Sequence, residues 1–288
     1  MKKATKTLYI YKGWCMNKLF WHIHVLTHRF IDSWSIVCRA PAVFLNWPWF
    51  FLNRLVKQST RLGVLKLRNG MKFKIRPRTT DRSTISEMFI LKPYVSKPGF
   101  QVGINDIVVD VGANIGAFAV YAASQAKNGK VYAVEPVLEN FLVLKENIEL
   151  NGLNNVVLIN RAIDGVAGKR QVSISGANSS FYSSFYLSGL DKTQLVETIT
   201  LFDLITSNNL VRVDYLKMDC EGAEFDILMN ADIDVLRRVR KIAAEYHNLS
   251  PEKNSHTLKA DLEQKGFKVE VSGGEWNGLI LASNTQIH

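Results

Sequence analysis

The sequence predicts an α/β fold: a mostly parallel seven-stranded sheet closed by a terminal antiparallel hairpin. A basic aromatic N-terminal extension precedes it. Three observations carry this prediction. From residue 106 onward, short apolar strands alternate with helical segments, which implies parallel strands with helices on both faces. Ile107–Val111 reads as a continuous apolar strand, as expected where both sheet faces are covered. Lys268–Val271 and Leu279–Ala282 are joined by a short Gly-rich turn, so they are expected as antiparallel neighbours.

Three sections follow along the chain: an extension over 1–61, a lead-in over 62–105 and the main domain over 106–288. Leu19–Arg39 has helical character, but Pro41 and Pro48 interrupt the pattern. Residues 62–77 alternate apolar and polar around Asn69-Gly70, the signature of a β-hairpin. Thr84–Tyr94 is a short expected helix, ended by Pro93. Strands are then expected at Ile107–Val111, Val131–Val134, Val156–Asn160, Tyr215–Met218 and Ile242–Glu245. Helices are expected at Ala117–Gln125, Leu138–Leu150 and His256–Lys265, the last stopped by Gly266. Gly168–Lys192, with Ser179, Ser180, Phe181, Tyr182, Ser183 and Ser184, reads as a solvated loop or as a wall for a hydroxylated ligand.

Composition narrows the function. The 288 residues carry 36 Lys+Arg against 26 Asp+Glu and are 47% hydrophobic, which suits a chain with a full core and not a disordered one. No uninterrupted apolar run reaches 18 residues, so no ordinary membrane span is expected. Cys15, Cys38 and Cys220 are odd in number and lack a CxxC pair, so neither a disulfide scaffold nor a cysteine zinc site is expected, and a cytoplasmic setting is. No secretory leader is apparent. The net charge of +10 is concentrated at one end. Residues 1–61 hold ten basic residues and one acid, whereas 62–288 hold 26 basic and 25 acidic residues.

The strongest chemical signal is Asp110-Val-Gly112-Ala-Asn114-Ile-Gly116, after a strand and before a helix. Glycines here let the backbone approach a ligand, and the helix N-terminus offers free N–H groups. A dinucleotide fingerprint needs G-x-G-x-x-G, and Asn114 and Ala117 break it. Glu135 ends the next strand, where a carboxylate can accept both hydroxyls of a ribose. Adenosine without a pyrophosphate is the ligand class that follows. Asp219 ends the fourth strand, at the sheet edge where ligands bind. Glu221 and Glu224 are expected in the first turn of the next helix, where acids meet its positive end. Cys220 between them reads as buried filler. At the end of the fifth strand, Glu245 and His247 point the same way. His247 can take a proton near neutral pH, and Asp219, Glu245 and His247 are equally a donor set for a divalent metal. His22, His24 and His28 lack a completing acid or Cys and read as part of the aromatic-basic face.

The runs KPGFQVGINDIVVDVGANIGAFAVYAA, VYAVEP, ENIELNG and VDYLKMDCEGAE together resemble the FkbM-type family of methyltransferases dependent on S-adenosyl-L-methionine. The resemblance spans roughly residues 85–282 and implies a Rossmann-like class I methyltransferase fold. It implies that Asp110, Gly112, Asn114 and Gly116 line the methionine end of S-adenosylmethionine and that Glu135 holds its ribose. Asp164, in Ala162-Ile163-Asp164, is implied at the adenine amine, and Tyr94 as a cover. Asp219, Glu245 and His247 are then the catalytic candidates, for O-methylation of a hydroxyl on a sugar, glycan or small molecule.

Two rivals stand beside that reading. The net charge suggests an RNA methyltransferase, but the basic surplus stops at residue 61, so no nucleic-acid partner is expected. A fold can also persist without activity, leaving a non-catalytic nucleoside-binding protein. Five of the six tryptophans fall before residue 50, interleaved with basic residues. That mixture suits peripheral contact with the inner membrane surface, and the apolar stretch Val43–Val56 is long enough to lie flat. Packing of the extension on the main domain or on a second subunit is the alternative.

Overall fold

The computed structural model describes residues 34–52, 63–174, 183–184 and 192–287. The expectations for Leu19–Arg39 before residue 34, for His22, His24 and His28, and for 179–182 lie outside the described residues. Thirteen strands are described, in chain order: β1 (Gly63–Lys66), β2 (Lys72–Ile75), β3 (Ile107–Val111), β4 (Lys130–Val134), β5 (Val156–Ile159), β6 (Ala162–Ile163) and β7 (Gly168–Ile174). These are followed by β8 (Ser183–Ser184), β9 (Lys192–Ile199), β10 (Tyr215–Met218), β11 (Lys241–His247), β12 (Phe267–Gly273) and β13 (Asn277–Asn284).

Seven of them form the main sheet in the order β12-β13-β11-β10-β3-β4-β5. The pairs β10–β11, β3–β10, β3–β4 and β4–β5 are parallel. β13 is antiparallel to both β11 and β12, so it alone runs against the rest. The predicted fold is therefore present. Its chain order also locates the ligand crevice. From β3 the chain builds outward through β4 and β5, then returns to lay β10 on the other side of β3. Between β3 and β10 the strand order reverses, and ligands of open α/β sheets bind at the carboxyl ends of strands at such a point.

Side-chain alternation divides the core. Val108, Val131, Ala133, Tyr215 and Ala243 point to one face, against the helices Ala117–Gln125 and Leu138–Leu150. Val109, Tyr132, Val134, Leu216, Met218 and Ile242 point to the other, against Leu201–Ser207, Glu224–Met229 and Ser255–Gln264. The expected hairpin is present as β1–β2, and its Leu65, Phe73 and Ile75 join the first core.

The N-terminal segment joins that core too. Residues 34–43 are helical, so Pro41 does not end the helix. It leaves the Val37 carbonyl without the bond an ordinary residue would give, and the helix ends two residues later. Pro48 falls in the first turn of the helix Trp47–Leu52, where an N–H has no partner to lose. Phe44 and Phe50 stack at 4.6 Å and are buried, and the Asn46 side chain clasps β1 through Val64 O and Lys66 N.

Two expectations need correction. The helix expected at Thr84–Tyr94 begins earlier, as Asp81–Ser86, and continues as a π-helical turn over Glu87–Leu91. Arg76 fixes that start, donating to the buried Asp81 carboxylate through its backbone N, Nε and Nη2. The stretch 168–192 is not a solvated loop at its ends. A second sheet, ordered β6-β9-β7-β8, is built from it, with β7 antiparallel to β9. Among the described residues its apolar face holds Ala162, Val172, Ile174 and Val196 over Val137, too short a period to read in a polar sequence.

Candidate functional site

The turn after β3 is shaped by what it must avoid. Gly112 has φ +74°, and a Cβ there would lie 1.9 Å from the Asp219 carbonyl oxygen. The loops leaving β3 and β10 therefore touch, and only glycine fits between them. Asn114 adopts φ +51°, a conformation asparagine tolerates better than most residues, and directs its backbone N–H to Glu135 Oε2 at 2.8 Å. Gly116, at φ +88°, begins the helix Ala117–Gln125 with Leu144 against it. Glu135 itself is buried. Its Oε1 accepts from Val137 N at 2.9 Å and Asn140 Nδ2 at 3.4 Å. Burial outweighs those donors and pushes its pKa up to about 7.

Lys217 is the residue that the sequence reading missed. It is Asp110's partner in the β3–β10 register, and its Nζ lies 3.1 Å from Asp110 Oδ1 and 3.9 Å from Asp219 Oδ2. It also donates to Gly112 O at 3.1 Å. Burial opposes its charge, but the carboxylates of Asp110 and Asp219 prevail and hold its pKa up. The available signal was a lysine inside an apolar strand, Tyr-Leu-Lys-Met: a buried charge needs a partner. Asp110, wholly buried, is that partner and sits behind the cavity wall.

A cavity of about 390 Å³ opens at these strand ends. Seven of the ten sequence-selected residues line it: Tyr94, Gly112, Asn114, Glu135, Asp219, Glu245 and His247. Asp110 and Gly116 shape it from behind. Asp164 is set apart. Its carboxylate accepts from Arg170 Nη1 at 2.5 Å and from Gly165 N at 2.7 Å, and it lines a second cavity with Asp226 and Asn230. An adenine role for Asp164 thus lacks support in this geometry, because the side chain is committed to Arg170. Its neighbours Ala162 and Ile163 do line the main cavity. A polar stripe of Thr80, Ser83, Thr84 and Glu87 forms a further wall; the spacing i, i+3, i+4, i+7 was its only sequence signal.

One part of the cavity wall is acidic. Tyr94 Oη lies 3.3 Å from Glu245 Oε2 and 3.4 Å from Asp219 Oδ2. Burial, then the neighbouring carboxylates of Asp219, Glu87, Glu221 and Glu224, push Glu245 up to about 10. The same causes push Glu221 up to about 8. His247 Nε2 is 3.5 Å from Glu221 Oε2 and 3.8 Å from Glu245 Oε1. Glu221, expected in the first turn of the next helix, is not helical. It has φ +55° in the turn before the helix Glu224–Met229, and only Glu224 begins that helix. Cys220 packs partly buried against the second core, as expected, and also lines the cavity; burial around its thiol raises its pKa well above the usual value. Among the described residues no group of three or more His, Cys, Asp or Glu side chains is arranged to hold a metal ion, so Asp219, Glu245 and His247 do not assemble as the metal set anticipated from sequence.

Comparison with known proteins places these features in a family context. The family model for the methyltransferase FkbM domain matches residues 110–269. Methyltransferase sdnD of Sordaria araneosa is 26% identical over 228 residues, covering 67% of this chain and 87% of that protein. The 31-O-demethyl-FK506 methyltransferase FkbM of Streptomyces tacrolimicus is 25% identical over 191 residues, covering 57% and 73%. A solved methyltransferase FkbM from Methylobacillus flagellatus aligns with a TM-score of 0.44 at 14% identity, covering 70% of this chain and 53% of that one.

Proposed function

The chain belongs to the methyltransferase FkbM family, and from that premise we propose that this S-adenosylmethionine-dependent enzyme methylates a hydroxyl oxygen of a sugar or other small molecule. One observation carries the reading: the glycine loop and Glu135 line the same cavity as Asp219, Glu245 and His247. Its volume suits a small-molecule site. The cofactor fits beside the glycine loop, where backbone at Gly112 and Asn114 is accessible and Glu135 faces inward.

When bound, S-adenosylmethionine supplies a methyl carbon already activated by positive sulfur. What remains for the protein is to align an acceptor, exclude water and receive a proton. Glu135 accepts ribose hydroxyls, and Lys217 steadies the loop through Gly112 O and Asp110. His247, among the acidic residues, receives the acceptor's hydroxyl proton, while Tyr94 and Asp219 orient the oxygen that gives it up. A wall of Thr80, Ser83 and Thr84 offers hydroxyls that suit a polyhydroxylated acceptor.

A second proposal concerns placement. Among the described residues no helix is long and apolar enough to cross a membrane. Trp34, Leu45, Trp47 and Leu52 are nevertheless exposed, in a section flanked by most of the chain's basic surplus. We infer peripheral contact with the inner membrane surface, which would present the site to a surface or lipid-linked acceptor.

Thermal shift tests the cofactor. S-adenosylmethionine and its demethylated product should both stabilise the protein, and Glu135→Ala should weaken their binding by roughly 1.5–3 kcal/mol, as for a charge-assisted hydrogen bond. A response to NAD with none to S-adenosylmethionine would overturn the reading. A panel of hydroxyl acceptors then tests the reaction.

A further inference from the structure

We propose that Glu224 is the positioning residue of His247, anchoring the imidazole at Nδ1 from behind so that Nε2 faces the acceptor. The inference rests on the acid–base reading above and names a group that reading leaves out.

Glu224 is completely buried, at the start of the helix Glu224–Met229. Its two oxygens are fixed by backbone donors: Oε1 accepts from Cys220 N at 2.7 Å and Oε2 from Gly222 N at 2.8 Å. A helix-end acid explains those bonds. It does not explain what lies beyond them. His247 Nδ1 is buried without a hydrogen-bond partner, and Glu224 Oε1 is 4.0 Å from it. A buried imidazole N–H without an acceptor costs about 1–3 kcal/mol. With Glu224 held by its backbone donors, it is the imidazole that would move to close the gap, and Oε1 keeps a lone pair for it.

The other nitrogen has different surroundings. Nε2 is flanked by Glu221 and Glu245, both of which line the cavity with His247. One nitrogen therefore faces a fixed, buried carboxylate and the other faces the cavity. A hydrogen bond at Nδ1 fixes the tautomer with its lone pair on Nε2, the state a base requires. Burial raises the Glu224 pKa, and the charge on His247 acts against that rise, as a communicating pair requires.

A double-mutant cycle separates this role from a structural one. Glu224→Gln keeps a carbonyl for one backbone donor and should lower kcat by roughly ten- to a hundredfold, with the affinity for S-adenosylmethionine little changed. In a His247→Ala background the same substitution should change kcat by less than about twofold, since a group acting through His247 has nothing left to act on. Losses that multiply across the two sites would overturn the proposal. Full activity in His247→Ala would instead overturn the parent reading. The tautomer provides a check that needs no variant: nitrogen NMR of the intact protein with the imidazole neutral should show the proton on Nδ1 of His247. A proton on Nε2 sinks the assignment.

Discussion

With the proposed ribose role, Glu135 would tie folding to ligand binding through one buried carboxyl. Its ordinary pKa is 4.5, and burial raises it to about 7 in the folded chain. Between those values the folded state holds a proton that the unfolded chain has released. The contribution to stability is therefore complete below pH 4.5 and is lost as pH rises through 7, at no more than about 1.4 kcal/mol per pH unit. Cofactor binding runs the other way, because a ribose hydroxyl donates best to an ionised acceptor. Glu221 and Glu245 titrate higher, at about 8 and about 10, so the comparison must be with Glu135→Gln and not with a flat line. The wild type should lose stability relative to Glu135→Gln from pH 4.5 to 7. Its affinity for S-adenosylmethionine should rise across pH 7 while that of the variant stays level. Denaturation and calorimetric titration at matched pH values would show both trends, and parallel profiles for the two proteins would remove Glu135 from the ribose.

At the scale of elements, two asparagines clasp the hairpin, and one of them also bonds the glycine loop. Asn147 and Asn151 stand one helical turn apart at the end of Leu138–Leu150 and act as an artificial strand against β2. Asn147 Oδ1 accepts from Lys74 N at 2.6 Å, and its Nδ2 donates to Lys74 O at 3.2 Å and to Ile115 O at 2.8 Å. Asn151 repeats the pattern on Lys72, with bonds of 2.9 and 2.7 Å. Asn147 is fully buried, so Asn147→Ala strands polar groups in the core and should cost about 2–3 kcal/mol; at half-exposed Asn151, water can replace the bonds and about 1 kcal/mol is expected. Urea denaturation measures the difference. Asn147→Ala should also weaken S-adenosylmethionine, since Ile115 lies in the loop; equal effects from the two variants would argue against the clasp. Both asparagines belong to the run ENIELNG, which carried family resemblance without a visible reason. What was legible in the sequence were features with long periods or obligatory backbone shapes: the parallel strands, the closing hairpin, Gly112 and Gly116. Features that depend on tertiary partners were not. The Lys217–Asp110 pair is formed across the sheet register, Asp164 is diverted by Arg170, and the β7–β9 pair has too few apolar positions to stand out.

For the molecule as a whole, the open question is why the basic surplus and the tryptophans share one end. Part of the aromatic content is core: Phe44 and Phe50 are buried on the first face of the sheet, and Trp49 packs against Gly63. Among the described residues of 43–56, the idea that the stretch lies flat on a bilayer is therefore reduced to the exposed Leu45, Trp47 and Leu52, joined by Trp34 outside it; residues 53–56 lie outside the described residues. Indole rings settle at headgroup depth, and each nearby Lys or Arg adds about 1 kcal/mol on an anionic surface. Near-neutral residues 62–288 offer no matching acidic excess to absorb the +9 of residues 1–61. A truncation at residue 62 is a poor test, because it would strip Phe44 and Phe50 from the core and unfold the hairpin's packing. Substitution is cleaner. The full chain should sediment with anionic vesicles, release in high salt, and ignore neutral ones. Trp34→Gln with Trp47→Gln should weaken that binding while leaving turnover of a soluble acceptor unchanged, since neither indole lines the cavity; Trp47 meets Phe51 edge to face, so a small loss in melting temperature accompanies it. Full-length protein that stays in solution with anionic vesicles would assign the exposed tryptophans to a protein partner instead and leave the acceptor free of any membrane, and binding that survives both substitutions would overturn the role of Trp34 and Trp47 in the contact.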